Sequence, residues 1–386
     1  MTSDATPLKG HLLVTKPAPR SGLMDITPYK PGKSMVHQGP VYKLSSNESA
    51  LGVSPEAMQA YEEAARALER YPDSDATALR TVIAGVHNLP ADNLIVGAGS
   101  DEIIQLLMQG YGGEGDNIVQ SRHGFSYYHL AAAAAGMETR YADEDALTAS
   151  VDALIAAVDA RTKLVFLANP NNPTGTVLMR KEVARLREHL PSHILLVLDG
   201  AYAEYMDDDQ YTDGADLVSS SIEIGADNVV MMRTFSKVYG LAGARVGWAY
   251  APAEVIGVLN RIRGPFNVSA PALSAAASAM ADQTFVAQNK AHNFAERQRV
   301  TNALEGFGFE VVPSYGNFVL FSIPGKEDAQ EQHAAALLAF LEERGVLIRA
   351  AASSQLPTHL RVSIGSTQAN DKFLEGAKDY AEEAGL

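Results

Sequence analysis

The sequence contains no cysteine. That excludes disulfides, thiolate nucleophiles and cysteine-ligated zinc or iron–sulfur centres. Basic residues are also scarce relative to acidic ones: 31 Lys and Arg against 46 Asp and Glu give a formal charge of −15. A general nucleic-acid binder needs a basic face, so this balance argues against one while leaving room for a local cationic pocket. No apolar run approaches the roughly 20 residues that span a bilayer, so no membrane partner is expected. The opening stretch, MTSDATPLKGHLLVTKPAPRSGL, lacks the cationic start, apolar core and small-residue cleavage site of a signal peptide. A soluble, cytoplasmic protein is expected. Internal repeats and a G-x-S-x-G nucleophile elbow are missing too. No metal site is expected. His189 and His193 have helix-face spacing, but Pro191 between them makes them solvated loop residues, and Asp207, Asp208 and Asp209 read as an exposed turn.

What is present is ordinary for a globular α/β enzyme: 386 residues, 46% apolar and 20% charged. The length predicts two domains, or one large domain with a satellite. Residues 1–50 read as an irregular N-terminal arm with part of a small domain, 51–270 as a large domain, and 271–386 as a smaller α+β domain. A helix is expected over Pro55–Tyr71, with proline at its first position. Seven short runs follow: NLIVGA, NIVQS, TRYAD, KLVFLA, ILLVLD, NVVMMRTF and RVGWAYA. Several are almost continuously apolar, the mark of strands covered on both faces. Their alternation with helical segments predicts a mostly parallel, doubly wound sheet from about residue 90 to 250.

In such sheets ligands sit beyond the carboxyl ends of the strands, so the residues following each strand are the candidates. After NLIVGA comes GSDE (Gly99, Ser100, Asp101, Glu102), which opens a helix. Amides at a helix start with the Ser100 hydroxyl form a phosphate cradle; a plain serine N-cap is the simpler alternative. After KLVFLA comes NPNNPTG, residues 169–175, either a rigid turn or a turn with a working asparagine. ILLVLD ends in Asp199 with Tyr202 close behind, and a carboxylate ending an apolar strand needs a cation. NVVMMRTF leads into Ser236 and Lys237, with Arg245 eight residues on. Desolvation and a second cation both favour the neutral, nucleophilic form of a lysine. Together these residues fit an anionic, phosphorylated pyridine aldehyde. Lys237 would form a Schiff base, Asp199 would keep the ring nitrogen protonated, an asparagine and Tyr202 would donate to the ring oxygen, and serine and arginine would neutralise the phosphate.

The stretches NPNNPTG, LDGAYAEY, RTFSKVYGLAGARVGW and HLRVSIG resemble the fold-type I pyridoxal-phosphate aminotransferases, specifically the histidinol-phosphate aminotransferase family. The resemblance implies an α/β large domain with a mostly parallel seven-stranded sheet in an α/β/α sandwich, plus the smaller α+β domain. It implies pyridoxal 5'-phosphate as cofactor and a ping-pong reaction between glutamate and the oxo form of histidinol phosphate. Lys237 would be the Schiff-base lysine and proton shuttle, Asp199 the partner of the pyridine nitrogen, and Asn172 and Tyr202 the donors to the phenolic oxygen. Gly99, Ser100, Asp101, Thr234, Ser236 and Arg245 would ring the phosphate, and Phe125 would stack on the pyridine. Tyr71 would reach the phosphate of a neighbouring subunit, which implies a homodimer. Arg361 and Arg349 would hold the substrate anion, and Tyr29 would close over it. For Arg349 a solvated edge charge, and for Tyr29 a residue pinning the arm, are the alternatives. One departure is Gly200, where relatives commonly carry an acid; a nearby charge is lost. Aromatic amino acids are the alternative substrates on the same framework. A threonine-phosphate decarboxylase and a nicotinamide-dependent dehydrogenase stand further off, since the glycine pattern is incomplete and a dehydrogenase leaves Lys237 unexplained.

Overall fold

The computed structural model describes residues 18–20, 22–28 and 40–385. Its largest sheet has seven strands in the spatial order Leu94–Gly97, Gly247–Tyr250, Val229–Thr234, Leu195–Asp199, Thr162–Ala168, Asn117–Ser121 and Glu138–Ala142. Each of the seven predicted runs supplies one of them. Neighbours run parallel except Gly247–Tyr250, which is antiparallel to both strands beside it.

The continuous apolarity has a direct cause. Successive side chains of a strand point to opposite faces, and here both faces are covered. Leu196 and Leu198 enter one core with Trp248 and Tyr250, whereas Leu195 and Val197 enter the other with Ala249. The helices Thr77–His87, Val151–Ala157, Arg180–His189, Ala215–Glu223 and Ala270–Ala281 contribute to the first core, and Ser100–Tyr111, Tyr127–Ala135 and Ala253–Ile262 to the second. The result is an α/β/α sandwich. Fully burying each Leu, Val or Ile contributes about 1.5–3 kcal/mol, so neither face can be left open.

A second sheet of four antiparallel strands runs in the order Glu310–Val312, Phe318–Ser322, His359–Ser363 and Arg349–Ala350. With the helices Gln283–Gly306, Glu327–Glu343 and Thr367–Ala384 it encloses a separate core around Phe321, Leu337 and Phe373. The stretch read as irregular arm includes a short strand, Tyr42–Lys43, that pairs in parallel with Val346–Leu347, and Leu44 enters this smaller core. The chain thus crosses from the smaller body to the larger one through residues 45–54.

Three other expectations meet differences. The change in sequence character near 270 does not coincide with the change of core. Ala272, Ala275 and Ala276 pack in the larger core, while Val300 and Leu304 of the next helix pack in the smaller. The predicted helix over Pro55–Tyr71 is α-helical only over Pro55–Ala64, followed by a 3-10 turn at Ala65–Ala67. Its start is as read, with Pro55 in the first turn and the Ser54 hydroxyl accepting from the Ala57 amide at 3.3 Å. Its end frays because Leu68 and Tyr71 are exposed, and helix propagation in proteins leans on tertiary packing. His189, read as a loop residue, ends the helix Arg180–His189 with Nδ1 2.8 Å from the Arg185 carbonyl. No group of potential ligands that could hold a metal occurs among the described residues, and no helix among them is long and apolar enough to cross a membrane.

Candidate active site

The carboxyl ends of the parallel strands open into a cavity of about 270 Å³. It is lined by Ser100, Asp101, Phe125, Asn172, Asp199, Tyr202, Thr234, Ser236, Lys237, Arg245, Arg349 and Arg361, together with residues 45–48. Thus nearly every residue singled out for one site converges on one space.

One end is built for an anion. The helix Ser100–Tyr111 starts at Ser100, so the simple serine N-cap reading does not hold; Gly99 is the N-cap and no side chain caps the helix. Gly99 has φ 81°, and a Cβ there would lie 2.3 Å from Arg245 Nη2. Gly247, which sequence reasoning passed over, is held as tightly: its Cβ would fall 2.3 Å from the Ser100 amide nitrogen. Only glycine fits at either position. Arg245 donates to the Ser236 hydroxyl at 3.1 Å and to the Asp101 carboxylate at 3.1 Å, and Thr234 donates to Ser236 at 3.0 Å. Uncapped amides, two hydroxyls and a guanidinium therefore share a concave wall cleared of side chains, the arrangement a phosphate needs. The Asp101 carboxylate is a poor neighbour for an anion, so its contribution must come through its amide.

The floor of the cavity is Asp199, which is buried. Its Oδ2 accepts from the Tyr128 hydroxyl at 2.6 Å and its Oδ1 from the Ala201 amide at 3.1 Å. Burial pushes its carboxyl up to about 6, against the lowering effect of those two donors. A carboxylate so placed is under-compensated, and a cationic ring nitrogen above it would supply the missing charge. Tyr128 was missed by sequence reasoning. The signal was its spacing: three residues after Phe125, at the start of the helix Tyr127–Ala135, it turns to the same side. The two rings meet edge to face at 5.5 Å.

Asn169 and Asn171 serve the turn, bonding Leu178 and Thr174 with His123 respectively. Asn172 faces the cavity, where its Oδ1 accepts from Arg361 Nη1 at 2.5 Å. The amide orientation follows, because an arginine only donates, so Asn172 Nδ2 is the atom left to donate. Lys237 Nζ lies 3.4 Å from the Ser46 carbonyl and 5.6 Å from the centre of the Tyr202 ring. Tyr202 accepts from Asn47 Nδ2 at 2.9 Å.

Beyond these stand two arginines. Arg349 and Arg361 are directly opposite on paired antiparallel strands, a position in which like charges repel. Arg361 is steadied by Asn172, by the Ser45 carbonyl at 3.0 Å and by the Phe318 ring at 5.4 Å. Tyr29 lies outside the described residues. Tyr71 does not enter the cavity of its own chain: it is exposed and stacks on Phe266 at 4.5 Å.

Gly200 has a clear setting. A Cβ there would stand 3.4 Å from Arg233 Nε. Arg233 is buried and pairs instead with Glu204 at 2.9 Å and with Asp213. Those two acids supply the counter-charge that an acid at position 200 would otherwise bring.

The family described as Aminotransferase class I and II matches residues 40–376. The chain is 46% identical over 368 residues to the histidinol-phosphate aminotransferase of Paramagnetospirillum magneticum, covering 95% of this chain and 99% of the relative. It is 44% identical over 369 residues to the enzyme of that name from Rhodopseudomonas palustris (strain BisB5), with the same coverage. Among solved structures, histidinol-phosphate aminotransferase from Sinorhizobium meliloti in complex with pyridoxal-5'-phosphate superposes with a TM-score of 0.81 at 26% identity, covering 89% of this chain and 92% of that one.

Proposed function

Since this chain belongs to the class I and II aminotransferase family, we propose that it transfers the amino group between histidinol phosphate and 2-oxoglutarate, with pyridoxal 5'-phosphate held in the cavity described above. The fit of that cofactor rests on two observations: an anion cradle kept clear by Gly99 and Gly247, and a buried carboxylate lacking a full counter-charge. When bound, the cofactor supplies an electron sink that makes the α-proton of an attached amino compound acidic.

The chain's own residues do the rest. Ser100, Thr234, Ser236, Arg245 and the amides of Gly99, Ser100 and Asp101 hold the phosphate. Asp199, ionised, keeps the ring nitrogen protonated. Phe125 covers the ring face, and Asn172 Nδ2 and the Tyr202 hydroxyl donate to the ring oxygen. Lys237 would supply the amine that holds the cofactor's aldehyde. Lys237 Nζ would be the base that takes the proton from the donor's α-carbon. In the return half-reaction it delivers a proton to the acceptor's carbon.

The observation that carries the substrate reading is the pair Arg349 and Arg361, cross-strand neighbours that both line the cavity. A phosphate dianion meets both, and a glutamate carboxylate needs only the bidentate fork of Arg361. Tyr29, on the family resemblance, would close over the substrate. Residues 51–270 and 271–386 are read as the two domains, with the helix Ala270–Ala281 still packed on the larger one. The enzyme works in the cytoplasm as a homodimer in which Tyr71 reaches the phosphate of the neighbouring subunit. Its exposure, and that of Phe266, Leu68 and Tyr61 nearby in sequence or space, supports such a partner.

Single-turnover mixing of the cofactor-loaded enzyme with histidinol phosphate, glutamate, phenylalanine and tyrosine tests the reading. The visible absorbance of the bound cofactor should fall with histidinol phosphate and glutamate at rates per concentration at least a hundredfold above the aromatic amino acids. Equal or better rates with phenylalanine or tyrosine would reassign the enzyme to aromatic substrates.

A further inference from the structure

Three consecutive residues outside the parallel sheet each touch a different part of the working machinery. The Ser45 carbonyl accepts from Arg361 at 3.0 Å, the Ser46 carbonyl lies 3.4 Å from Lys237 Nζ, and Asn47 Nδ2 donates to Tyr202 Oη at 2.9 Å. The third contact is the most tightly specified. Asn47 is buried and adopts φ 55°, a left-handed conformation that asparagine tolerates better than most residues. Its backbone amide donates to Ser363 Oγ at 2.7 Å, Ser363 Oγ donates to Asn47 Oδ1 at 3.0 Å, and Asn317 Nδ2 donates to its carbonyl at 3.0 Å. With Oδ1 occupied by a hydroxyl, the amide can only present Nδ2 to the tyrosine.

We propose that Asn47 is a positioning residue for Tyr202: by donating to Oη it fills one acceptor site of the phenol and turns the Tyr202 proton into the cavity. Among the described residues no acceptor takes that proton. It is therefore available for the ring oxygen of the cofactor, and this inference rests on the cofactor reading given above. The charged groups around Tyr202 are Lys237 at 5.6 Å from its ring, Asp199 three residues before it, and Arg361, which shares the wall of the cavity. None of them dictates which way the phenol proton points, and Asn47 does. Ser363 lies two residues from Arg361 on the same strand, His359–Ser363. The substrate-anchoring strand and the cofactor-facing phenol are thereby joined through one amide.

The test compares Asn47→Asp, Asn47→Gly, Tyr202→Phe and the double variant Asn47→Asp/Tyr202→Phe with wild type. Asp and Gly both accept a left-handed backbone, so neither adds strain at that position. Aspartate is isosteric with asparagine but reverses the polarity: its carboxylate would pull the Tyr202 proton out of the cavity. Apo-protein is titrated with pyridoxal phosphate for its dissociation constant, the loaded protein is titrated for the pH midpoint of its visible absorbance change, and the apo-protein is melted. Asn47→Asp should weaken cofactor binding by about two- to tenfold, the range of one ordinary hydrogen bond, and raise the absorbance midpoint. It should do more harm than Asn47→Gly, and its effect should vanish in the Tyr202→Phe background. A structural role alone predicts the reverse order, with the shape-conserving Asp variant mild and the Gly variant worse in step with its melting temperature. That order, or an effect of Asn47→Asp that persists undiminished in the Tyr202→Phe background, overturns the inference. Wild-type protein that binds no pyridoxal phosphate overturns the cofactor reading and this inference together.

Discussion

Replacing Tyr128 by phenylalanine isolates one hydrogen bond at the floor of the site. The ring would keep its packing, stacked on Phe166 at 4.6 Å and edge-on to Phe125, while Asp199 Oδ2 loses its 2.6 Å donor. A hydrogen bond to a charged group contributes about 1.5–3 kcal/mol. At about 1.36 kcal/mol per pH unit, its loss moves the Asp199 titration up by about one to two pH units. Asp199 already titrates near 6 because of burial. At pH 7 its ionised fraction should therefore fall from about nine in ten to between about one half and one in ten. Only the ionised form pairs with a protonated ring nitrogen. Cofactor affinity at pH 7 should drop by about two- to tenfold, and the gap should close by about pH 9 as the carboxylate ionises in both proteins. Fluorescence titration of apo-protein with pyridoxal phosphate from pH 5.5 to 9 measures this directly. A wild-type to variant affinity ratio that stays flat across that range would refute the argument, since the lost contact would then act on something other than Asp199 ionisation.

Other outcomes follow from the same geometry. Asp199 binds its proton more tightly folded than unfolded, with values of about 6 against 3.8. The apo-protein therefore carries a penalty that is absent below the lower value, grows between the two and reaches at most about 3 kcal/mol above the upper one. Asp199→Asn should raise the apo melting temperature at pH 8, have little effect near pH 4, and abolish turnover. Gly247→Ala would drive a methyl group against the Ser100 amide. Overpacking of that kind costs about 1–3 kcal/mol, so phosphate-dependent cofactor affinity should fall by about tenfold or more while pyridoxal without its phosphate binds as before. Arg361→Lys keeps the charge but loses the fork that meets both Asn172 and a substrate anion, so KM should rise for glutamate and histidinol phosphate alike. Arg349→Ala should raise KM for histidinol phosphate and leave glutamate nearly unchanged.

The large sheet was legible because most of its strands are buried on both faces, which writes an almost unbroken apolar run into several of them; the edge strand Glu138–Ala142 is the exception. Lys237, Asp199, Tyr202 and Arg245 were legible because a parallel sheet gathers the ends of its strands, so position after a strand is already position in the site; the choice of Asn172 among the asparagines of NPNNPTG came from the family resemblance. Asn47 follows no strand of that sheet. It lies on the crossing from the small sheet to the large body, and only the packing of Ser363 and Asn317 around it brings it to Tyr202. Gly247 was overlooked for a related reason: its constraint comes from Ser100, far away in sequence, and a glycine beginning a strand announces nothing by itself. The frayed end of the Pro55–Ala64 helix was misread because propensity continues through Leu68 while the surface that would bury that residue is not in the same chain segment.

The placement of Gly247–Tyr250 between Leu94–Gly97 and Val229–Thr234 bears on how the molecule matures. Gly97 and Gly247 are register partners across that junction, although 150 residues separate them in the chain. Closing so long a loop is slow compared with forming the local helices. The wall that accepts the phosphate does not exist until the earliest strand of the sheet has been joined to its last. Until then Ser100 and Arg245 belong to separate fragments, each unable to retain a small anion. Cofactor capture would then follow closure of the sheet, and a bound phosphate would act as a fastener between the first and final thirds of the large body. Chains that have completed the sheet are the ones withdrawn from the unfolding equilibrium by the ligand.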